Sequence, residues 1–132
     1  MRLFLQIDIG DWKQRNYQNP LVPYASSLAP DLMGTDIDNE SESTVIDLVI
    51  KLIDQAESLF VFIVANPDTS IGSADKMLRY LLHHETKVFQ LVMLGQHEAI
   101  EKSALKFNGR FLQAENLDQV KKSIRDFAEK IV

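Results

Sequence analysis

Leu59-Phe60-Val61-Phe62-Ile63-Val64-Ala65 is the stretch on which the fold of this 132-residue chain turns, and Lys87-Val88-Phe89-Gln90-Leu91-Val92-Met93-Leu94 is its companion. Both have the length of a strand, and both are rich in β-branched and aromatic residues. A strand wetted on one side alternates apolar and polar residues, whereas a run apolar throughout is covered on both faces, as central parallel strands are. The first run stops at Asn66-Pro67-Asp68 and the second at Gly95, which are turn signals. The two are expected side by side, pointing the same way, with helices above and below.

The flanking segments read accordingly. Residues 43–57 predict a helix apolar over most of its circumference, with Val45, Val49, Leu52 and Ala56 on one side and Ile46, Ile50 and Ile53 on the next. Such a helix is mostly buried, either under neighbouring chain or against another subunit. Ser41 or Ser43 can cap its start. Residues 73–84, 97–107 and 116–131 predict three further helices, closed in the second case by Asn108-Gly109 and opened in the third by Asn116 with Gln119 three residues on, a loose capping box. Residues 3–9 and 110–114 predict strands. Residues 12–42 show no sustained period and hold Pro20, Pro23 and Pro30, so the stretch at about 10–42 reads as a long irregular segment, with a helical turn or two expected around 25–33. Strands alternating with helices demand a parallel sheet with right-handed crossovers. The expected architecture is a single α/β domain over 1–132, a three-layer α/β/α sandwich on a small sheet of about four parallel strands in the order 2-1-3-4.

Composition narrows the function classes. With 14 Lys and Arg against 19 Asp and Glu, the formal net charge is −5, which argues against a nucleic-acid-binding face. Cysteine is absent, so disulfides, thiolate metal sites and a Cys nucleophile are excluded. No apolar run reaches the roughly 20 residues of a membrane span. Arg2 and Asp8 interrupt the N-terminus too early for a signal peptide, so a cytoplasmic location is expected.

In open parallel sheets, ligands bind at the carboxyl ends of the strands. Those ends carry Asp8, Asp11 and Trp12 after the first strand, then Asn66, Asp68 and Ser70, then Gln96 and His97, then Glu115 and Asn116. Asp8, Asp11, Trp12, Asn66, Ser70 and His97 are therefore the candidate ligand-binding residues. No Gly-rich phosphate loop is present, and Ser70-Ile71-Gly72-Ser73 reads more readily as a plain Ser cap than as an anion site. Asp36, Asp38, Glu40 and Asp47 imitate the front of a calcium loop, but Ser41 stands where Gly is required. An acidic loop running into a helix is the favoured reading there, and no metal or cofactor is expected.

The helix, apolar strand, loop and helix from Ser43 to Leu94, including Asp68-Thr69-Ser70-Ile71-Gly72-Ser73-Ala74-Asp75, resemble the flavodoxin-like domains of the TIR and nucleoside 2-deoxyribosyltransferase-like groups. That resemblance implies a nucleotide or nucleoside ligand and cleavage of an N-glycosidic bond. The position most like the family's catalytic glutamate holds Asp75, or Lys76 if the alignment slips by one, and Ile71 and Gly72 stand where TIR domains often carry Trp and Cys. Asp75 and Asp68 are the catalytic candidates on this basis. An Asp reaches about one methylene less far than Glu, and catalytic geometry rarely tolerates a misplacement near ~1 Å. Two functions are thus expected to compete. One is a non-catalytic interaction or regulatory module, a homodimer or the ligand of a protein partner, suggested by the apolar first helix and by Trp12, Tyr17, Leu21, Val22, Tyr24 and Leu28. The other is a TIR- or deoxyribosyltransferase-like enzyme.

Overall fold

A computed structural model describes residues 1–10, 21–107 and 109–130. Its strands are β1 (Arg2–Asp8), β2 (Leu32–Asp38), β3 (Leu59–Val64), β4 (Val88–Leu94) and β5 (Phe111–Ala114). Its helices are α1 (Leu21–Leu28), α2 (Ser43–Gln55), α3 (Ala74–His83), α4 (Glu98–Ala104) and α5 (Leu117–Glu129). The sheet is parallel throughout, in the order β2-β1-β3-β4-β5. The two apolar runs lie side by side, with Val61 of β3 level with Leu5 on one side and Leu91 on the other.

The pleat sends successive side chains to opposite faces, and each face has its own core. Leu3, Leu5 and Ile7 of β1 and Val61 and Ile63 of β3 join Ile46, Val49, Ile53, Met77, Leu81 and Ile100, so α2, α3 and α4 cover one face. Phe4, Phe60 and Phe62 join Leu21, Ala25, Ile124 and Phe127, so α1 and α5 cover the other. Every residue of β3 from Leu59 to Ile63 is fully buried, which is why that strand carries no polar residue. Each such side chain contributes about 1.5–3 kcal/mol by leaving water. The second core is aromatic: Phe60 lies 5.8 Å from both Phe4 and Phe127, and Phe89 lies 5.2 Å from Phe127. This is the flavodoxin-like three-layer sandwich, with five strands where about four were expected.

The additional strand and helix come from the segment read as irregular. Among the described residues β2 is an edge strand, paired only with β1, and only Leu32 and Ile37 of its seven residues are buried. Its sequence, Leu-Met-Gly-Thr-Asp-Ile-Asp, therefore lacks the apolar run that marks a central strand. α1 hides behind Pro23, which is tolerated because it falls in the first turn, where its missing N–H has no helical partner to lose. Leu21, counted in the sequence as surplus apolar surface, is buried, and Val22, Tyr24 and Leu28 pack partly against the α1/α5 core. Those residues lend no support to an unpartnered surface. Tyr17, Asp11, Trp12 and Asn108 lie outside the described residues.

At the amino end of the sheet, Arg2 closes the domain. Arg2 is 5% exposed, and its side chain donates to both carboxylate oxygens of Asp31, at 2.8 and 2.9 Å. It also donates to the Phe127 and Ala128 carbonyls, two of the orphan acceptors at the end of α5. The Asp31 hydrogen bond raises the guanidinium pKa above its ordinary value, and the same contact holds the Asp31 carboxyl below 3.8.

Candidate functional site

At the carboxyl ends of the strands, the connections that carry the candidate residues are tied to one another by hydrogen bonds. Asp8 ends β1; its carboxylate accepts from Gln6 Nε2 at 3.0 Å, and its backbone carbonyl accepts from Asn39 N at 3.1 Å. Asn39 spans three connections: its Oδ1 accepts from Gly10 N at 3.2 Å, its Nδ2 donates to Ser70 O at 3.2 Å, and its backbone carbonyl accepts from Ser73 N at 3.0 Å. Gly72 crosses this knot at φ +54°, and a Cβ there would stand 2.0 Å from Asn39 O. Gly95 plays the same part beyond β4, where φ is +91° and a Cβ would meet Ala65 O at 2.2 Å.

The remaining candidates divide. Asn66 Oδ1 accepts from Asp68 N at 3.1 Å, an Asx turn that leaves the exposed Asp68 side chain at the surface. Ser70 Oγ accepts from Gly72 N at 3.3 Å. His97 precedes α4 and is buried; its Nε2 donates to Thr69 O at 2.7 Å, because a carbonyl can only accept. Its Nδ1 is buried without a partner. Asp75 lies in the first turn of α3 and pairs with Arg79 at 2.8 Å. The structure thus ties Asn39 and His97, from the neighbouring connections, to the β3–α3 connection that carries Ser70, at Ser70 O and Thr69 O. Asp8 stands on the α1/α5 side of the sheet, in phase with Phe4, while α3 with Asp75 packs on the opposite side.

Among the described residues, three buried polar atoms lack a hydrogen bond: Gln6 Oε1, Ser73 Oγ and His97 Nδ1. Ser73 stands at the cap position of α3 but makes no side-chain cap, contrary to the plain Ser cap expected. Asp36 and Asp38, which imitate a calcium loop in sequence, belong to β2, level with Gln6 and Asp8 of β1. Among the described residues, no group of three or more His, Asp or Glu is arranged to hold a metal ion.

Two residues were missed in the sequence. Gln6 carried a signal, being the one amide in the otherwise apolar interior of β1. Asn39 carried little, because its role depends on β2 being a strand.

Away from this edge, α2 has an exposed apolar stripe. Ile46, Val49 and Ile53 face the core, but Leu48 is 61% exposed and Val45 39%. Met33, on the same face of β2 as the buried Ile37, is 43% exposed. Among the described residues, no helix is long and apolar enough to cross a membrane.

No protein-family model matches the chain, and no curated protein is significantly similar to it.

Proposed function

We propose that this chain is a non-catalytic interaction module that pairs with a second copy of itself through α2. The observation that carries the reading is the exposure of Leu48 and Val45 on a helix whose opposite face is fully engaged in the core. One helical turn apart, the two form a continuous apolar strip.

The strip is self-complementary. An antiparallel register that sets Val45 against the partner's Leu48 also sets Glu42 against the partner's Lys51, at both ends of the contact. Neither Glu42 nor Lys51 has an ionic partner among the described residues. Asp47, the other acid near the strip, is neutralised by Lys76 at 2.8 Å. A twofold interface requires the same patch to serve both copies, and this one does. The patch is small beside the ~1,200 Å² that stable interfaces bury, so the dimer is a weak one, with a dissociation constant in the micromolar range. Sedimentation equilibrium over a range of concentrations tests it, as does the Leu48→Asp variant, which sets a charge against the partner's Val45.

The N-glycosidic reading has less support. Asp75 gives its carboxylate to Arg79, and Asp8 belongs to the other side of the sheet. A screen of nucleotides and nucleosides by thermal shift tests it, because a ligand of the native state raises stability by mass action.

A further inference from the structure

At the amino end of the sheet, opposite the edge where ligands ordinarily bind, Ser58, Thr86, Lys87, Phe89, Arg110 and Lys130 surround a cavity of about 380 Å³. Three of these six are cations and none is an acid, in a chain whose net charge is −5. Each cation is held in place, yet each keeps N–H groups to spare. Lys87 Nζ donates to Ile53 O at 3.2 Å and Asp54 O at 3.1 Å, in the last turn of α2, which leaves one of its three hydrogens. Arg110 uses Nη1 on the Glu85 and Val88 carbonyls, which leaves its Nε and Nη2 hydrogens without a protein partner among the described residues. Glu85 forms an ion pair with Arg110 on the Nη1 side, at 3.7 Å, so part of that charge is already balanced while the Nε and Nη2 side stays open. Lys130 Nζ lies over the Phe89 ring, 4.5 Å from its centroid, and makes no hydrogen bond among the described residues.

We propose that this cavity binds a small phosphomonoester. Like charges collected around one cavity repel one another, and a dianion between them turns that repulsion into attraction. The free fork of Arg110 matches two phosphoryl oxygens, Lys87 and Lys130 supply point charges, and the Ser58 and Thr86 hydroxyls add donors. A cavity of about 380 Å³ exceeds what one phosphate fills, and the Phe89 ring gives the organic part of the ester an apolar wall. The site is separate from the α2 stripe and does not rest on dimerisation.

The test is an NMR titration of the isotopically labelled full chain with inorganic phosphate, with glycerol 3-phosphate, and with sodium chloride at matched ionic strength. Saturable shifts are expected at Ser58, Thr86, Phe89 and Arg110 with both phosphates, with the ester binding at least about threefold more tightly, and none with chloride. Lys130→Gln should weaken binding by about threefold or more, and Lys130→Arg should retain it. Lys130 is exposed and rests on the half-buried Phe89 ring, so both variants should fold. Shifts reproduced by chloride, shifts centred elsewhere, or unchanged affinity in Lys130→Gln would overturn the site. Equal affinity for the two phosphates would overturn the ester as its ligand.

Discussion

Arg2 is the residue on which the amino end of the domain depends most. Replacing it with Met removes the charge that satisfies Asp31 and leaves carbonyls of the last turn of α5 unpaired in a buried setting. Chemical denaturation should show a loss of about 2–4 kcal/mol, and Arg2→Lys should recover only part of it, because an ammonium cannot reproduce the bidentate fork. The pH dependence follows from Asp31, whose pKa is lowered from 3.8 by the Arg2 hydrogen bond. The unfolded state binds this proton first as pH falls, so the pair's contribution is complete above the ordinary value of 3.8 and is lost as pH drops through the depressed folded value. The stability difference between the wild type and Asp31→Asn should therefore shrink toward zero in strong acid and stay constant near neutrality. Gly95→Ala is expected to cost more than about 2 kcal/mol, since the left-handed backbone and a Cβ 2.2 Å from Ala65 O compound each other. At this scale the sequence was only partly legible. Counting to strand ends places Asp8, Ser70 and His97 at the carboxyl edge, but the partners of Ser70 and His97 are backbone groups, which no residue type announces. Asn39 was invisible for the same reason.

The elements differ in how openly their sequences declare them. β3 and β4 are apolar on both faces because both faces are covered, so their composition alone identifies them. α5 alternates at helical period, and its cap forms as the sequence suggests: Asn116 Oδ1 accepts from Gln119 N at 3.0 Å. The Gln119 side chain reaches back to Glu115 N at 2.7 Å, one residue earlier than an ideal capping box. Asn116→Ala should cost about 1 kcal/mol in thermal or chemical unfolding, whereas Asn116→Ser should cost far less. β2 is the counterexample. An edge strand faces solvent on its free side and is polar there, which also discourages pairing with stray chains. Its Asp36 and Asp38 therefore resembled a metal loop while forming part of the sheet. α2 is too apolar in sequence to stand alone, and its outward Val45 and Leu48 are what remains of that excess once Ile46, Val49 and Ile53 are buried.

Across the whole molecule, cations gather at the amino edge of the sheet, where Arg2, Lys87, Arg110 and Lys130 stand, with Asp31 and Glu85 paired to two of them. A net charge of −5 does not reveal this cluster, because composition sums over the whole chain. The fold places α2 on the flank of the domain, beside the β2 edge, free to meet another copy. Leu48→Asp should leave the unfolding free energy within about 0.5 kcal/mol of wild type when both are compared as monomers, because the side chain is already in water. Sedimentation equilibrium of the wild type and Leu48→Asp, from micromolar to near-millimolar protein, tests the pairing most directly. A wild-type mass that climbs toward twice that of the chain, with Leu48→Asp fixed at the mass of one, is the result expected. A wild type that stays monomeric at the highest concentration, or a variant that dimerises equally well, would contradict it.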